Sequence, residues 1–401
     1  MIKNQYELIF IFITICIDLL GFGIIIPLLP DFLKNVLATN ESMIGVTVGI
    51  FSLMQFISTP VWGSLSDIFG RKPVLTISLM GNVISYSLMG LVFSGVFDSI
   101  WMLIIARAFA GIFSGNLSAA QSVISDLTSK EDRAKGMGYI GAAFGLGFVF
   151  GPAIGGVLSY RFGYGVPIFL AAFFSLIAAI LSMTIFKESL PEDIRKSNKH
   201  NFKGVTLVNL KAVKDVLSNK TVGIFVIIFF FITFSFANIH ATFLLFAERP
   251  EGMNLNQQEV GLLLSFLGIV GAIVQGTLIK FFKTKIGEEK SLIIGNILTM
   301  FGLFLVPFSG NLYYLLAVLV ILAFGSGLNN PMVLSLISTN VSRDEQGSVL
   351  GINQSLGSLA RFFGPVWGGF VYQEFGFQYP FISGAVIMLF ITIFSFKILK
   401  K

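Results

Sequence analysis

Charged residues are scarce in this chain of 401 residues. Only 12% of its residues are Asp, Glu, Lys or Arg, whereas 55% are hydrophobic, and the mean hydropathy is +0.85. A water-soluble domain carries roughly 25% charged residues. This scarcity excludes an ordinary soluble protein and indicates that most of the chain lies in lipid.

Cysteine and the common catalytic motifs are also nearly absent. The single cysteine, Cys16, lies in the first apolar segment, so an intrachain disulfide is excluded. The sequence has no phosphate-binding GxxxxGK(S/T) motif, no Cys/His cluster with metal spacing and no nucleophile elbow. We therefore expect no enzyme, no metal and no cofactor. The net charge of +6 matters only for orientation in the membrane, so no nucleic-acid partner is expected.

Long apolar segments are abundant. A helix that spans a bilayer needs about 20 mostly apolar residues, and six such segments precede a polar stretch while six follow it. The first exceeds the apolar region of a signal peptide, so we expect a retained helix. The segments are 8–29, 43–64, 74–94, 100–124, 136–160, 166–186, 222–246, 259–280, 291–308, 312–337, 348–372 and 378–398.

This pattern predicts an all-α membrane protein with 12 transmembrane helices in two six-helix bundles. The bundles would be residues 1–186 and 222–401, joined by a linker at 187–221. Either the linker contains a basic amphipathic helix on the membrane surface, or it is only partly ordered. The apolar face of that helix would carry Phe202, Val205, Leu210, Val213 and Leu217.

The distribution of Lys and Arg predicts the orientation, because cytoplasmic connections are enriched in both. With a cytoplasmic N-terminus, all but five of the 27 basic residues fall in the cytoplasm. An even number of helices then returns the C-terminus to the same side. The five exceptions are Lys34, Arg161 and Arg249 outside, and Arg107 and Arg361 within spans.

One glycine and proline pattern occurs twice. Gly138, Gly147 and Gly151-Pro152-Ala-Ile-Gly155-Gly156 match Gly351, Ala360 and Gly364-Pro365-Val-Trp-Gly368-Gly369, 213 positions later. Proline inside a helix costs about 3 kcal/mol in soluble proteins but is tolerated where membrane helices pack closely. Gly81-Asn82 likewise matches Gly295-Asn296. Parallel repeats of this kind place a substrate site between the two halves, near the bilayer midplane.

Ionisable residues within the spans mark the chemistry, since each is costly in lipid. They are Asp18, Arg107, His240 and Arg361. Asp18 could load and release a proton if it is unpaired, or form a fixed ion pair with Arg107 or Arg361. Arg361 alternatively holds an anionic substrate group, and His240 is either titratable or a hydrogen-bonding residue.

Uncharged polar residues in the spans either line an aqueous cavity or form hydrogen bonds between helices. We expect the substrate cavity to be lined by Asn116, Gln121, Asn238, His240, Gln275, Asn330, Gln354 and Arg361.

Several motifs resemble the major facilitator superfamily. Its loop signature is similar to Gly63-x-Leu65-x-Asp67-x-x-Gly70-Arg71-Lys72, its fourth-helix motif to Arg107-x-x-x-Gly111, and the fifth-helix motif of its drug/proton antiporters to the Gly138–Gly156 pattern. The tetracycline/proton antiporters come closest. Their resemblance rests on Asp18-x-x-Gly21-x-Gly23-x-x-x-Pro27-x-x-Pro30 and Glu131-Asp132-Arg133-Ala134.

The resemblance implies roles for matching residues. Asp18 and Arg107 would couple transport to protons. Gly63, Asp67, Gly70, Arg71 and Asp126 would form a cytoplasmic gate that clamps the eleventh span near Ser348. The helix hinges would consist of Gly147, Gly151, Pro152, Gly155, Gly156, Gly364 and Pro365, with the first five packing against the other half.

The sequence departs from the tetracycline antiporters at two membrane acids, where it has Ser85 and Thr299. We therefore expect a proton-coupled exporter of small amphipathic compounds or drugs without deciding whether tetracycline is one of them. The alternative is a symporter, facilitator or exporter for an anionic metabolite or lipid. The expected partners are a small-molecule substrate, protons and lipids, and the protein is expected to be a monomer in the bacterial cytoplasmic membrane. The proton gradient would be the energy source.

Overall fold

The computed structural model describes residues 5–128, 133–200, 210–342 and 345–396, and these ranges contain helices and no strand. Glu131, Asp132, Phe202, Val205 and the C-terminal lysines lie outside them. The helices are Gln5–Ile25 (α1), Leu28–Asp31 (α2), Glu41–Phe69 (α3), Arg71–Phe93 (α4), Ile100–Phe113 (α5), Leu117–Leu127 (α6), Arg133–Phe162 (α7), Gly165–Thr184 (α8), Glu192–His200 (α9), Leu210–Ser218 (α10), Val222–Ala237 (α11), Ile239–Ala247 (α12), Gln257–Ile273 (α13), Ile279–Phe281 (α14), Glu288–Leu305 (α15), Leu312–Thr339 (α16), Gln346–Phe375 (α17) and Tyr379–Phe396 (α18).

Eleven helical segments in the described ranges are long and apolar enough to cross a membrane. They include two that extend the predicted spans, Glu7–Val36 and Gln257–Ile286. The predicted span 348–372 is present as α17, which has 30 residues, but α17 is not among the eleven. Its polar residues Asn353, Gln354, Ser358 and Arg361 lower its hydropathy.

Short turns of other helix types interrupt the α-helices. A 3-10 turn at Ser114–Asn116 separates α5 from α6. π-helical turns occur at Phe32–Val36, Val274–Leu278 and Phe282–Ile286. π-helical turns within α-helices appear frequently at functional sites. Periodicity alone did not predict them.

The chain forms two compact units. The first contains residues 1–28 and 50–208, and the second contains residues 29–49 and 209–401. This division follows the two sequence halves except for the segment Leu29–Gly49, which joins the second unit. Glycines explain that exception, because Gly45 lies against the backbone of Pro365 and Gly49 against Phe362 of α17.

Each unit is held together by closely packed helices. In the first, α4 packs against α8 and α5, and Gly81 leaves room for the Phe113 ring. A buried apolar core includes Phe10, Trp62 and Phe186. In the second, α15 packs against α16, where Gly302 lies against Leu322. Small residues at these positions let membrane helices approach closely and gain dispersion contacts.

Helix α10 corresponds to the last part of the predicted linker helix. Leu210, Val213 and Leu217 belong to it, and the side chain of Leu210 is 75% exposed. An exposed apolar side chain beside lysines fits the predicted amphipathic surface helix. The proposed contact with the membrane surface stays a prediction.

Candidate functional site

The first unit contains a carboxylate that is held by two neutral amides. Asn82 Nδ2 of α4 donates to Asp18 Oδ1 at 3.0 Å, and Asn116 Nδ2 donates to Asp18 Oδ2 at 3.0 Å. Both asparagines are buried, whereas Asp18 is partly exposed. Asp18 is therefore partly accessible, and both of its oxygens have hydrogen-bond donors.

The break between α5 and α6 positions Asn116. This residue ends the 3-10 turn, and its amide also donates to Ser78 Oγ at 2.8 Å. Gln55 Nε2 donates to the carbonyl oxygen of Ser114 in this turn at 3.1 Å. Ser114 Oγ in turn donates to Asn82 Oδ1 at 3.4 Å. The polar groups of the break thus fix both amides that hold Asp18.

Arg107 is buried in the same unit but is not an ion-pair partner of Asp18. Within the described residues, Asp18 receives its hydrogen bonds only from Asn82 and Asn116. The guanidinium of Arg107 lies over the ring of Phe51, 4.9 Å from the ring centroid, in a cation–π contact. The alternative of a fixed Asp18–Arg107 pair is therefore wrong for this structure.

The contact with Tyr86 explains why the Asp18 motif has a glycine at position 21. A methyl group at this position would lie 2.7 Å from the hydroxyl oxygen of Tyr86. Tyr86 is fully buried, so the ring fills the space next to the turn of helix that carries Asp18. Any larger residue at Gly21 would displace Tyr86 from this position.

The first Gly-Pro helix, α7, packs against α1 of its own unit. Gly147 lies against Leu19, and Gly151 and Gly155 lie against the backbone of Gly23 and Ile24. The sequence predicted that these glycines pack against the other half. That prediction is wrong for Gly147, Gly151 and Gly155. Because these residues have no side chain, α1 of the same unit packs closely against α7. Their role as hinges, with Pro152 and Gly156, stays a prediction.

The second Gly-Pro helix, α17, uses its glycines on two sides. A methyl group at Gly364 would lie 2.6 Å from the carbonyl oxygen of Phe234 in α11. Gly369 instead lies against the backbone of Glu41 at the start of α3. On that same side, Gly45 packs against the backbone of Pro365. The two copies of the pattern therefore share a close-packing function but serve different neighbours.

A charge cluster lies at the loop between α3 and α4. Arg71 is 5% exposed and pairs with Asp67 and, from Nε, with Asp126 Oδ2 at 3.0 Å. Arg71 Nη1 also donates to Ser66 Oγ at 2.7 Å. The structure thus brings together three predicted gate residues. Gly63 lies near Ser118, and its small size admits that neighbour. Whether the cluster acts as a gate stays a prediction.

Glu188 completes this loop and was missed from the sequence. Its carboxylate accepts from the backbone N–H groups of Arg71 at 2.9 Å and Lys72 at 3.1 Å. These are orphan donors at the first turn of α4, which an acid stabilises. Gly70 has φ of +101°, and a side chain there would collide with Glu188. Because Glu188 is over 110 residues away, no local signal identified it.

The predicted cavity residues differ in burial and in their contacts. Asn238 is 1% exposed and donates to the carbonyl of Pro380 at 2.6 Å, so it joins helices and the cavity prediction is wrong for it. Gln275 and Asn330 are exposed, and Gln275 lies in a π-helical turn. Gln121, Gln354 and His240 are partly exposed, and His240 packs edge-on against Phe236. Cavity roles for these five stay predictions.

Arg361 is partly exposed on α17. Its Nη2 donates to Ser358 Oγ at 2.8 Å, and this is its only hydrogen bond to a described side chain. No ion pair involves Arg361 in the described ranges. A guanidinium in a membrane helix with one neutral partner retains donors for another group.

Comparisons with known proteins identify the family of this chain. The family model described as Major Facilitator Superfamily matches residues 11–285 and 253–401. The chain is 30% identical over 374 residues to a tetracycline resistance protein, class H, of Pasteurella multocida, covering 92% of this chain and 90% of the relative. It is 30% identical over 396 residues to multidrug resistance protein 2 of Bacillus subtilis, covering 96% and 94%. The crystal structure of the nucleoside transporter NupG superposes with a TM-score of 0.78 at 15% identity, covering 99% and 100%.

Proposed function

The chain belongs to the major facilitator superfamily and is a multi-pass membrane transporter, not an enzyme; on that premise we propose that it is a proton-coupled exporter of small amphipathic compounds. It exchanges these compounds for protons by alternating access. Relatives named for tetracycline and multidrug resistance support drug-like substrates. The proton gradient supplies the energy, and no cofactor takes part.

The observation that carries this proposal is the pair of neutral amides around Asp18. An ionised Asp18 accepts both N–H groups, and no guanidinium of the described residues forms an ion pair with it. A protonated Asp18 keeps one acceptor oxygen and gains an O–H donor. Both states of the carboxyl are therefore compatible with the site, as a proton carrier requires.

Orientation follows from the basic residues. We propose cytoplasmic N- and C-termini, a location in the bacterial cytoplasmic membrane and a monomeric state. The Arg71 charge cluster then lies on the cytoplasmic side. Its buried guanidinium is satisfied by Asp67 and Asp126, and separating it from both acids would leave a buried charge unpaired, at a cost of about 3–5 kcal/mol. Such a cluster is suited to hold one conformation until substrate or proton binding shifts the balance.

Asp18→Asn tests the proposal. In proteoliposomes with an imposed pH gradient, we expect this variant to lose proton-driven transport by at least 100-fold. The asparagine has the same size and keeps one oxygen that accepts from one of the two amides, so the variant should fold and bind substrate although one hydrogen bond is lost. Fluorescent-substrate flux and pH-dye quenching measure the two fluxes. Retention of proton-driven flux in Asp18→Asn would sink the proposal, and so would flux that needs ATP and ignores the gradient.

A second candidate is an exporter of anionic compounds, and the single neutral partner of Arg361 favours it. Matched anionic, neutral and cationic analogues of one fluorescent compound distinguish the candidates. If Arg361 binds an anionic group, Arg361→Gln lowers flux of the anionic analogue about 10-fold or more and leaves the neutral analogue unchanged. An equal loss for all three analogues would show that Arg361 acts on the transport cycle and not on selectivity.

A further inference from the structure

Two carboxyl groups meet in the second unit, away from Asp18. Asp31 ends α2 and is fully buried. Glu248 follows α12, lies outside the apolar helix segment and is partly buried. The two side chains share a hydrogen bond. Two carboxyl groups joined by a hydrogen bond cannot both be ionised without strong repulsion, so the contact requires a proton on one of them.

The neighbours of Asp31 decide which carboxyl carries that proton. Asn35 Nδ2 donates to Asp31 Oδ1, and Gln257 Nε2 donates to Asp31 Oδ2. Asp31 thus accepts hydrogen bonds on both oxygens, as an ionised carboxylate does. Glu248 must then be the donor. Burial and the neighbouring carboxylate of Asp31 raise the pKa of Glu248 to about 9.

The other ionisable groups on the surrounding elements have partners of their own. Lys34 forms an ion pair with Glu41, and Glu259 accepts from the backbone N–H of Asn256 at 2.8 Å. Arg249 lies 3.2 Å from the ring centroid of Phe377 and interacts with exposed Glu251. Tyr372 donates to the carbonyl of Leu245 at 3.1 Å.

The pair joins segments from both halves of the sequence. Asp31 belongs to Leu29–Gly49, which lies in the second unit with α12, α13 and α17. Further along this segment, Ser42 N donates to Gln373 Oε1 at 3.3 Å, and Gly45 packs on Pro365. If substrate passes between the halves on this side, the segment must separate from these helices, and the pair must separate with it.

We propose that Asp31 and Glu248 form a proton-dependent latch, in which one shared proton holds the segment Leu29–Gly49 against α12 and α13 and loss of that proton releases it. The role in the transport cycle rests on the proposed function. The proton enters and leaves on the side of the membrane where the latch opens. It is therefore not carried across, and it adds pH sensitivity without changing the number of protons exchanged.

The sign of the pH dependence follows from linkage. When the latch is open, Glu248 returns towards the ordinary glutamate pKa of 4.5, against about 9 when it is closed. The proton therefore favours closure fully below pH 4.5. Between these values, the equilibrium constant for closure falls by up to about tenfold per pH unit, and above pH 9 the proton contributes nothing to closure.

Spin-label distance measurements test the latch directly. Val36→Cys and Tyr313→Cys are placed in a Cys16→Ser background, because both sites are exposed, at 49% and 84%. The protein is studied in lipid nanodiscs between pH 5 and 9. We expect the short-distance population to fall as the pH rises. In Glu248→Gln, whose amide donates without a titratable proton, that population should persist over the whole range.

Glu251→Gln is the matched control, since Glu251 is exposed nearby and should reproduce the wild-type pH profile. Asp31→Asn provides a second variant: removing the neighbouring charge should move the transition to lower pH. A wild-type distance that ignores pH, or a Glu248→Gln profile identical to wild type, overturns the latch. Proton-driven flux is measured separately, so its absence would refute the proposed function while the distance profile still judges the latch.

Discussion

The two halves of the chain carry matched asparagines whose partners differ in charge. Asn82 of α4 donates to the carboxylate of Asp18 at 3.0 Å. Asn296 of α15, the equivalent position, donates to the hydroxyl of Ser395 at 3.2 Å. Thr299, where the tetracycline antiporters have an acid, accepts from Asn329 at 3.1 Å. The repeat thus retains helix positions and polar contacts, but among the described residues only the first half places an acid in them.

The same contrast appears at the loops that open these helices. Gly70 and Gly287 have nearly the same conformation, with φ of +101° and +90°. The first loop is capped by Glu188 and neutralised by paired charges. The second uses the Lys283–Glu288 ion pair. Backbone geometry is therefore the conserved part of the duplication, and charge is the part that diverged.

Alanine substitution of the two asparagines tests this contrast most strongly. Asn82→Ala removes a hydrogen bond to a charged group, worth about 1.5–3 kcal/mol, and we expect proton-driven flux to fall roughly 10- to 100-fold. Asn296→Ala removes a neutral hydrogen bond worth about 1 kcal/mol. It should lower the melting temperature and leave the flux nearly unchanged. Equal flux losses in the two variants would contradict the assignment of proton chemistry to the first half.

Alanine at the packed glycines tests the shared geometry. Gly151→Ala and Gly364→Ala would place methyl groups 2.6 Å from Gly23 Cα and from the Phe234 oxygen. We expect each to destabilise its unit by about 1–3 kcal/mol, because backbone must move. Gly145→Ala and Gly351→Ala lie on the same helices with nothing within 4 Å and should be neutral. Thermal unfolding in detergent measures all four, and a neutral Gly151→Ala would argue against close α1–α7 packing.

Truncating the loop acids should have the smallest effect. Glu188→Ala removes the acceptor for two backbone N–H groups of α4 and should cost about 0.5–2 kcal/mol. Glu289 is an exposed acid in the first turn of α15, so Glu289→Ala should cost less than 1 kcal/mol. The same thermal assay compares the two. If Glu289→Ala proved the more damaging, the capping role of Glu188 would be refuted.

Apolar length predicted where the helices lie, because burial in lipid sets both their composition and their extent. The motif around Arg71 predicted which side chains meet, since they lie on adjacent turns or elements. Glu188 and Glu248 escaped prediction because their partners are remote in sequence. Asp31 escaped because the first span was ended at residue 29, whereas the helical segment continues to Val36. The choice between Arg107 and the amides as partners of Asp18 depended on helix rotation, which apolar periodicity does not specify in a buried bundle.

The uncharged surroundings of Asp18 have an electrical consequence. Because amides hold the carboxylate, gaining a proton changes the charge of the site by a full unit. Exchange of one proton for one neutral molecule would then move net charge across the membrane in every cycle. Voltage would contribute about 2.3 kcal/mol per 100 mV for each charge moved. A cargo with one positive charge would cancel that contribution and leave the pH difference as the only driving force.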